Sequence, residues 1–382
     1  MRVALVSPFP VVEHGSDASV TMLPELVRRL SHHVDLHVIA PPPARGEEIA
    51  SLGQATYVPL DSSNPGGIRD RLGRRPYWQA SVWNRNAERS VSLHLKRIAP
   101  DLLHGEYLQV GASTACAPCP ALLTLHDVST DVMKRSLIGS SLTASPYRLA
   151  EYVRTYDFER RVVSRTPLPV TLSAADCARM RRWNAAAVAI PPAYAIPREA
   201  WSVDTDRPPV VVFVGAMWRN ANVASARFLV HHVLPALRQE TPDAELRIVG
   251  ARPTPEVQGW RTRPGVQVVG VVPSVEAEML RSAVVVAPSL FGGGILVKAL
   301  TAIALGCPTV VSPTVAESLE LSTGEVSIAS TGQEFADALA ILIRDTGAAM
   351  ALGSRARSFA SERFSWDARI ESYLRCYEGL SR

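Results

Sequence analysis

Residues 292–298, GGGILVK, place three glycines ahead of an apolar helix and a lysine about one turn inside it. Glycines at a helix mouth let backbone N–H groups approach an anion, and the helix dipole adds partial positive charge there. The Lys298 side chain can lean back toward the helix N-terminus and reach the same anion. Only Lys96, Lys134 and Lys298 are lysines in a chain that otherwise uses arginine, so a lysine at this place is not a casual choice of charge. The chemistry this pattern offers is capture of a phosphate-type group by Gly292, Gly293, Gly294 and the backbone of Ile295, with Lys298 as counter-charge. A tight turn beside a solvated lysine is the plain alternative.

A second cation, Arg219, is the only one in the stretch FVGAMWRNANV. Its planar guanidinium suits the paired hydrogen bonds that a diphosphate accepts, although an ordinary surface arginine would read the same way. Asn222, just beyond it, is a plausible helix N-cap. In the first half, His126 and Asp127 come directly after the apolar run LLTL, where a histidine can serve a sugar or a proton, or simply bond to backbone. Gly15 and Ser16 could give a ligand close access to backbone after the first strand. The stretch lacks G-x-G-x-x-G, which disfavours a dinucleotide cofactor.

Other chemistries find little support. Cys116 and Cys119 form a C-x-x-C without a second ligand pair, which reads as two small buried thiols in a loop. The acidic DTD at 204–206 precedes a strand rather than following one, and no histidine cluster offers a metal site. No G-x-S-x-G elbow points to a hydrolase and no G-x-x-x-x-G-K-[ST] to a nucleotide hydrolase.

The elements that must hold these residues follow from pattern. Short apolar runs at 2–7, 34–40, 101–104, 121–125 and 169–173 alternate with helical stretches, which argues for a parallel sheet covered on both faces. After a Pro-rich stretch at 191–208 the pattern starts again with VVVFVG, AELRIVG, VQVVG, AVVVAPS and PTVVSP. The expectation is an α/β chain of two doubly wound Rossmann-like domains, 1–190 and 209–365, joined by a linker at 191–208 and facing a central cleft. The helix 19–33 carries Val20, Leu23, Leu26, Val27 and Leu30 along one stripe. A final amphipathic helix, 366–382, shows Trp366, Ile370, Tyr373, Leu374 and Tyr377 on one side.

Composition sets the class. The 382 residues are too many for one ordinary core, and 47% apolar with 20% charged residues fits a globular protein. No run of about 18 uncharged apolar residues suggests a membrane span. A net charge of +4 with scattered basic residues gives nucleic-acid binding little support, and a small anionic ligand suffices. Five cysteines without a spacing framework point to a reducing cytoplasm, and the first residues read as a buried strand rather than a signal peptide. Arginine-for-lysine and alanine-rich usage suggests a GC-rich bacterial genome.

Taken in order and spacing, FVGAMWRNANV, AELRIVGARP, GVQVVGVVPS and GGGILVKALTAIALGCPTVVSP resemble the donor domain of GT-B retaining glycosyltransferases of family 4, in the flavour of bacterial exopolysaccharide sugar transferases. Gly292, Gly294 and Lys298 fit that group's G-x-G-x-x-x-K pattern. The likeness covers about 209–380 well and the first domain loosely.

The resemblance implies a GT-B fold and transfer of a sugar from a nucleotide-diphosphate sugar, with retention, no metal and no cofactor beyond the donor. It maps the diphosphate to Arg219, the glycine loop and Lys298, the nucleobase near Val271 and Val272, and a cleft histidine to His126. The terminal helix would pack back on the first domain, which would bind an acceptor such as a glycan, a lipid-linked sugar or a small natural product. The family's Glu-x7-Glu pair falls on Gly293 and Thr301, so Thr301 would offer a ribose one neutral hydroxyl in place of a carboxylate. Ala216 stands where the family has an arginine. A catalytically degenerate GT-B binding subunit and a nucleotide-sugar epimerase are the alternatives in other functional classes.

Overall fold

The computed structural model describes all residues except 13–17, 45–46, 61–72, 139–145, 203–207, 291–296 and 382; the side chains of 18–21 and 135–138 are likewise undescribed. Gly15, Ser16 and the glycine loop Gly292, Gly293, Gly294 and Ile295 therefore lie outside the described residues. The chain divides into two compact units, Met1–Pro192 with Asp367–Arg382, and Ala193–Trp366.

In the first unit seven described strands form one parallel sheet. They are β1 (Arg2–Val6), β2 (Asp35–Ala40), β3 (Thr56–Pro59), β4 (Leu102–Glu106), β5 (Ala121–Leu125), β6 (Leu168–Thr171) and β7 (Val188–Ala189). Their order is β3-β2-β1-β4-β5-β6-β7. The inner strands read as unbroken apolar runs because both faces are covered, and β1, β4 and β5 are buried along almost their whole length. Leu23, Leu26, Val27 and Leu30 of the helix Ala18–Leu30 are buried, as the stripe predicted. Each such side chain contributes about 1.5–3 kcal/mol by leaving water.

The second unit repeats the plan with β8 (Val210–Val214), β9 (Glu245–Val249), β10 (Val266–Gly270), β11 (Val284–Ala287), β12 (Thr309–Val311) and β13 (Ser327–Ile328), ordered β10-β9-β8-β11-β12-β13 and parallel throughout. Two-residue strands such as β7 and β13 are too short to show a periodicity.

The Pro-rich stretch expected to be a linker is fastened to the second unit over part of its length. The Tyr194 N–H donates to Phe364 O at 2.9 Å and the Trp201 N–H to Leu305 O at 2.8 Å. Arg357 donates to the carbonyls of Glu199 and Ala304 at 3.1 and 2.8 Å. Proline removes N–H donors but leaves carbonyls, and a guanidinium satisfies several of them at once.

The final helix, Trp366–Ser381, carries Ile370, Tyr373 and Tyr377 inward on the first unit. No helix among the described residues is long and apolar enough to cross a membrane.

Candidate functional site

Open parallel sheets bind ligands beyond the carboxyl ends of their strands, where the strand order reverses. In the second unit that point lies between β8 and β11. Residues 215–219 follow β8, and Arg219 caps the helix Asn220–Phe228 with extended backbone. Pro288 and Ser289 follow β11 and are fixed from both sides: the Ser225 hydroxyl donates to Pro288 O at 3.1 Å, and the Ser289 N–H to Ser312 Oγ at 3.0 Å.

Lys298 stands in the first turn of the helix Val297–Ala304. Its Nζ donates to Asn222 Oδ1 at 2.8 Å and lies 4.2 Å from the centre of the Phe213 ring, near the end of β8. Burial first, and then the charge of Arg219, push its pKa down to about 7. The cation is thus held by a neutral amide and a ring face, with a second cation near enough to repel it. An arriving anion would relieve both penalties.

Asn222 corrects the sequence expectation. It is not the cap but sits inside the helix, where its Nδ2 donates to Ala216 O at 3.0 Å while its oxygen holds Lys298. One carboxamide therefore ties the loop after β8 to the helix that follows the glycine loop. Two further residues escaped the sequence reading. Half-exposed Trp218 has the guanidinium of Arg219 5.3 Å and that of Arg252 4.7 Å from its ring centre. Arg252 holds φ at +51°, in the left-handed region that suits glycine.

The other expected donor contacts are Val271, Val272 and Thr301, of which Thr301 lies three residues beyond Lys298 on the same helix. Val271 is 76% exposed just after β10, while Val272 packs beside the Met279 cluster. Thr301 is buried, with the Tyr194 phenol near its hydroxyl.

In the first unit three adjacent strands, β1, β4 and β5, lead to Phe9, Glu106–Tyr107 and His126. His126 stacks on Tyr107 with ring centres 3.8 Å apart and planes 15° from parallel, and Phe9 meets Tyr107 edge-on at 5.0 Å. Tyr107 adopts φ 71° and ψ 148°, a region nearly reserved for glycine that costs on the order of 1–3 kcal/mol. Among the described residues the His126 ring has no backbone partner; its Nε2 lies 2.6 Å from Glu106 Oε2.

Glu106 is buried, which would raise its pKa, but the hydrogen bond to His126 and the close approach of His104 outweigh burial and hold it below the usual carboxylate range. His104 and Glu106 are two residues apart, so β4 turns both side chains to one face. Gly105 between them faces Thr114, whose hydroxyl would lie 2.3 Å from an added Cβ. The pair HGE at the end of a buried strand was the signal that could have disclosed Glu106. Asp127 accepts from the Ser129 hydroxyl at 2.9 Å and, through burial above all, has its pKa raised.

Cys116 is exposed and Cys119 half-buried, which corrects the expectation of two buried thiols. Among the described residues no group of three or more His, Cys, Asp or Glu side chains is placed to hold a metal ion.

Residues 208–345 match the family of glycosyl transferases group 1, so the second unit carries a glycosyltransferase domain. No curated protein shows significant sequence similarity to the chain. Among solved structures, sucrose-phosphate synthase from Thermosynechococcus elongatus superposes with a TM-score of 0.74 at 17% identity, covering 99% of this chain and 98% of that one. HepE from Anabaena in complex with UDP-glucose gives 0.69 at 14% identity, with 99% and 100% covered. WaaG, a glycosyltransferase involved in lipopolysaccharide biosynthesis, gives 0.67 at 14%, with 97% and 98% covered. The fold is the two-domain GT-B fold of these enzymes.

Proposed function

We propose that the protein transfers a sugar from a nucleotide-diphosphate sugar, held on the second unit, to an acceptor nucleophile held on the first, with retention and without a metal. The observation that carries this reading is Lys298, a cation of depressed pKa at the strand switch point of a glycosyltransferase domain, held by Asn222 and Phe213 with Arg219 nearby. As the bond between the sugar carbon and the phosphate oxygen breaks, negative charge grows on the departing diphosphate. Lys298, Arg219 and the N–H groups of 292–295 would stabilise that charge most when it is largest, which lowers the barrier. The acceptor oxygen forms the new bond to the sugar carbon, and its proton goes to the departing diphosphate.

The relatives support the donor class: HepE was solved with UDP-glucose bound. Exposed Val271 and neighbouring Val272 suit the nucleobase side of the site, Thr301 takes the ribose position of the family pattern, and Gly15 and Ser16 are the ligand-contact residues assigned to the first unit. The acceptor would be a glycan, a lipid-linked sugar or a small natural product of a bacterial cytoplasm. The test is release of nucleoside diphosphate from UDP-, GDP-, ADP- and dTDP-hexoses in buffer containing EDTA. Turnover of one of them is expected, and turnover of none across acceptor classes contradicts the reading.

A further inference from the structure

The end of β4 holds more polar structure than ligand contact alone requires. Glu106 is 1% exposed and touches two histidines: His126 Nε2 lies 2.6 Å from Oε2, and His104 Nε2 lies 2.9 Å from Oε1. His104 is itself fully buried, with its Nε2 also 3.0 Å from Thr124 Oγ1 and its Nδ1 2.6 Å from the Tyr377 hydroxyl. Tyr373 adds a contact to Thr124 at 3.2 Å, and Arg369 donates to the Tyr373 hydroxyl at 3.3 Å. The final helix thus reaches the strand end through two phenols and two histidines.

The proton positions follow from donor and acceptor chemistry. An ionised carboxylate only accepts, so whenever the His126 ring holds a single proton that proton is on Nε2. Nδ1 is then a lone pair, and among the described residues it has no hydrogen-bond partner. His104 sits between two hydroxyls, Thr124 at Nε2 and Tyr377 at Nδ1, each able to donate or accept, while Glu106 Oε1 lies 2.9 Å from His104 Nε2 without a hydrogen-bond partner among the described residues. The ring plane of His126 is fixed by the stack on Tyr107, for which the backbone accepts strain. With 17% of its side chain exposed, His126 remains within reach of a ligand.

We infer that Glu106 is a positioning residue that fixes the tautomer of His126, so that Nδ1 accepts a hydrogen bond from a substrate hydroxyl bound by the first unit. This rests on the glycosyltransferase reading only for the identity of the hydroxyl-bearing substrate; the tautomer follows from Glu106 alone. Buried second partners of this kind orient imidazoles in other settings by the same rule. The final helix meets the same strand end through the Tyr377–His104 contact.

Glu106→Gln tests the inference because the shape is kept while the acceptor can become a donor. In that variant a carboxamide N–H facing Nε2 moves the His126 proton to Nδ1 and turns the ligand-facing atom from acceptor to donor. The measurement is 15N spectroscopy of the histidine rings in the whole protein at alkaline pH, with His126 assigned by its own substitution, alongside turnover of the UDP-, GDP-, ADP- and dTDP-hexose panel.

The wild type should show the Nε2–H form. Glu106→Gln should show Nδ1–H with kcat reduced about tenfold or more, and Glu106→Asp should keep the wild-type tautomer and restore part of the rate. A wild-type Nδ1–H form overturns the inference even if the variant fails to fold. So does a variant that loses rate with the tautomer unchanged, or changes tautomer at full rate. Absence of turnover in the wild type would instead count against the proposed function, leaving the tautomer result to stand or fall by itself.

Discussion

The Lys298 ammonium donates to the Asn222 carboxamide at 2.8 Å while resting 4.2 Å from the centre of the Phe213 ring, so the second unit's single lysine is held without a carboxylate partner among the described residues. A half-buried ammonium with a neutral partner costs stability that a ligand can return.

Replacing Lys298 by methionine should therefore stabilise the unliganded protein. With a folded pKa of about 7 against the ordinary 10.5, the native state binds fewer protons than the unfolded chain between those values. The cost is full below pH 7 and fades as pH rises toward 10.5. Lys298→Met should raise Tm at pH 6.5 by roughly 2–4 °C per kcal/mol recovered, with a smaller gain at pH 9. Equal or lower Tm at both pH values would show that the lysine is not strained.

Glu159 gives a pH dependence of the opposite origin. Its carboxylate accepts the Ser129 and Thr130 N–H groups at 2.7 and 3.0 Å, yet burial, with Asp127 adding repulsion, raises its pKa to about 7. The native state holds a proton that the unfolded chain releases near 4.5. This contribution is complete below about pH 4.5 and is lost as pH rises through 7, on the order of 3 kcal/mol in all. Glu159→Gln should flatten the fall in Tm between pH 5 and pH 8; a slope as steep as wild type would assign it to other groups.

Gly250 directly follows β9 with φ 149°, and an added Cβ would fall 1.8 Å from Gly215 O, just past the end of β8. The two strand ends can approach there only without a side chain. Gly250→Ala should cost more than about 2 kcal/mol and displace the loop that carries Trp218 and Arg219. Thermal unfolding checks the first effect and nucleotide affinity the second; wild-type values for both would mean the loop after β8 shifts freely.

The sheets were legible because β1, β4, β5, β8 and β11 are apolar runs that need no partner to be recognised, and Lys298 was legible because lysine is rare here. The missing parts depend on tertiary approach. Asn222 looked like a cap because its type favours caps, but a carboxamide within the first turn of the helix could be seen to bridge Ala216 and Lys298 only once β8 and β11 lie side by side. Glu106 was hidden by its apolar neighbours in LLHGEY. Its network draws His126 from 20 residues away on the chain and, through His104, Tyr377 from 273 residues away. The stretch 191–208 looked like a linker since proline hides periodicity, whereas carbonyls within it are bound by Arg357.

The most direct measurement is thermal unfolding of wild type and Lys298→Met with UDP, GDP, ADP and dTDP in EDTA-containing buffer at pH 6.5. One nucleotide should raise the wild-type Tm, by about 2.7 kcal/mol of stabilisation at a hundredfold excess over Kd, and the shift should vanish in Lys298→Met. No shift with any nucleotide, or an undiminished shift in the variant, would contradict the placement of a diphosphate at Lys298.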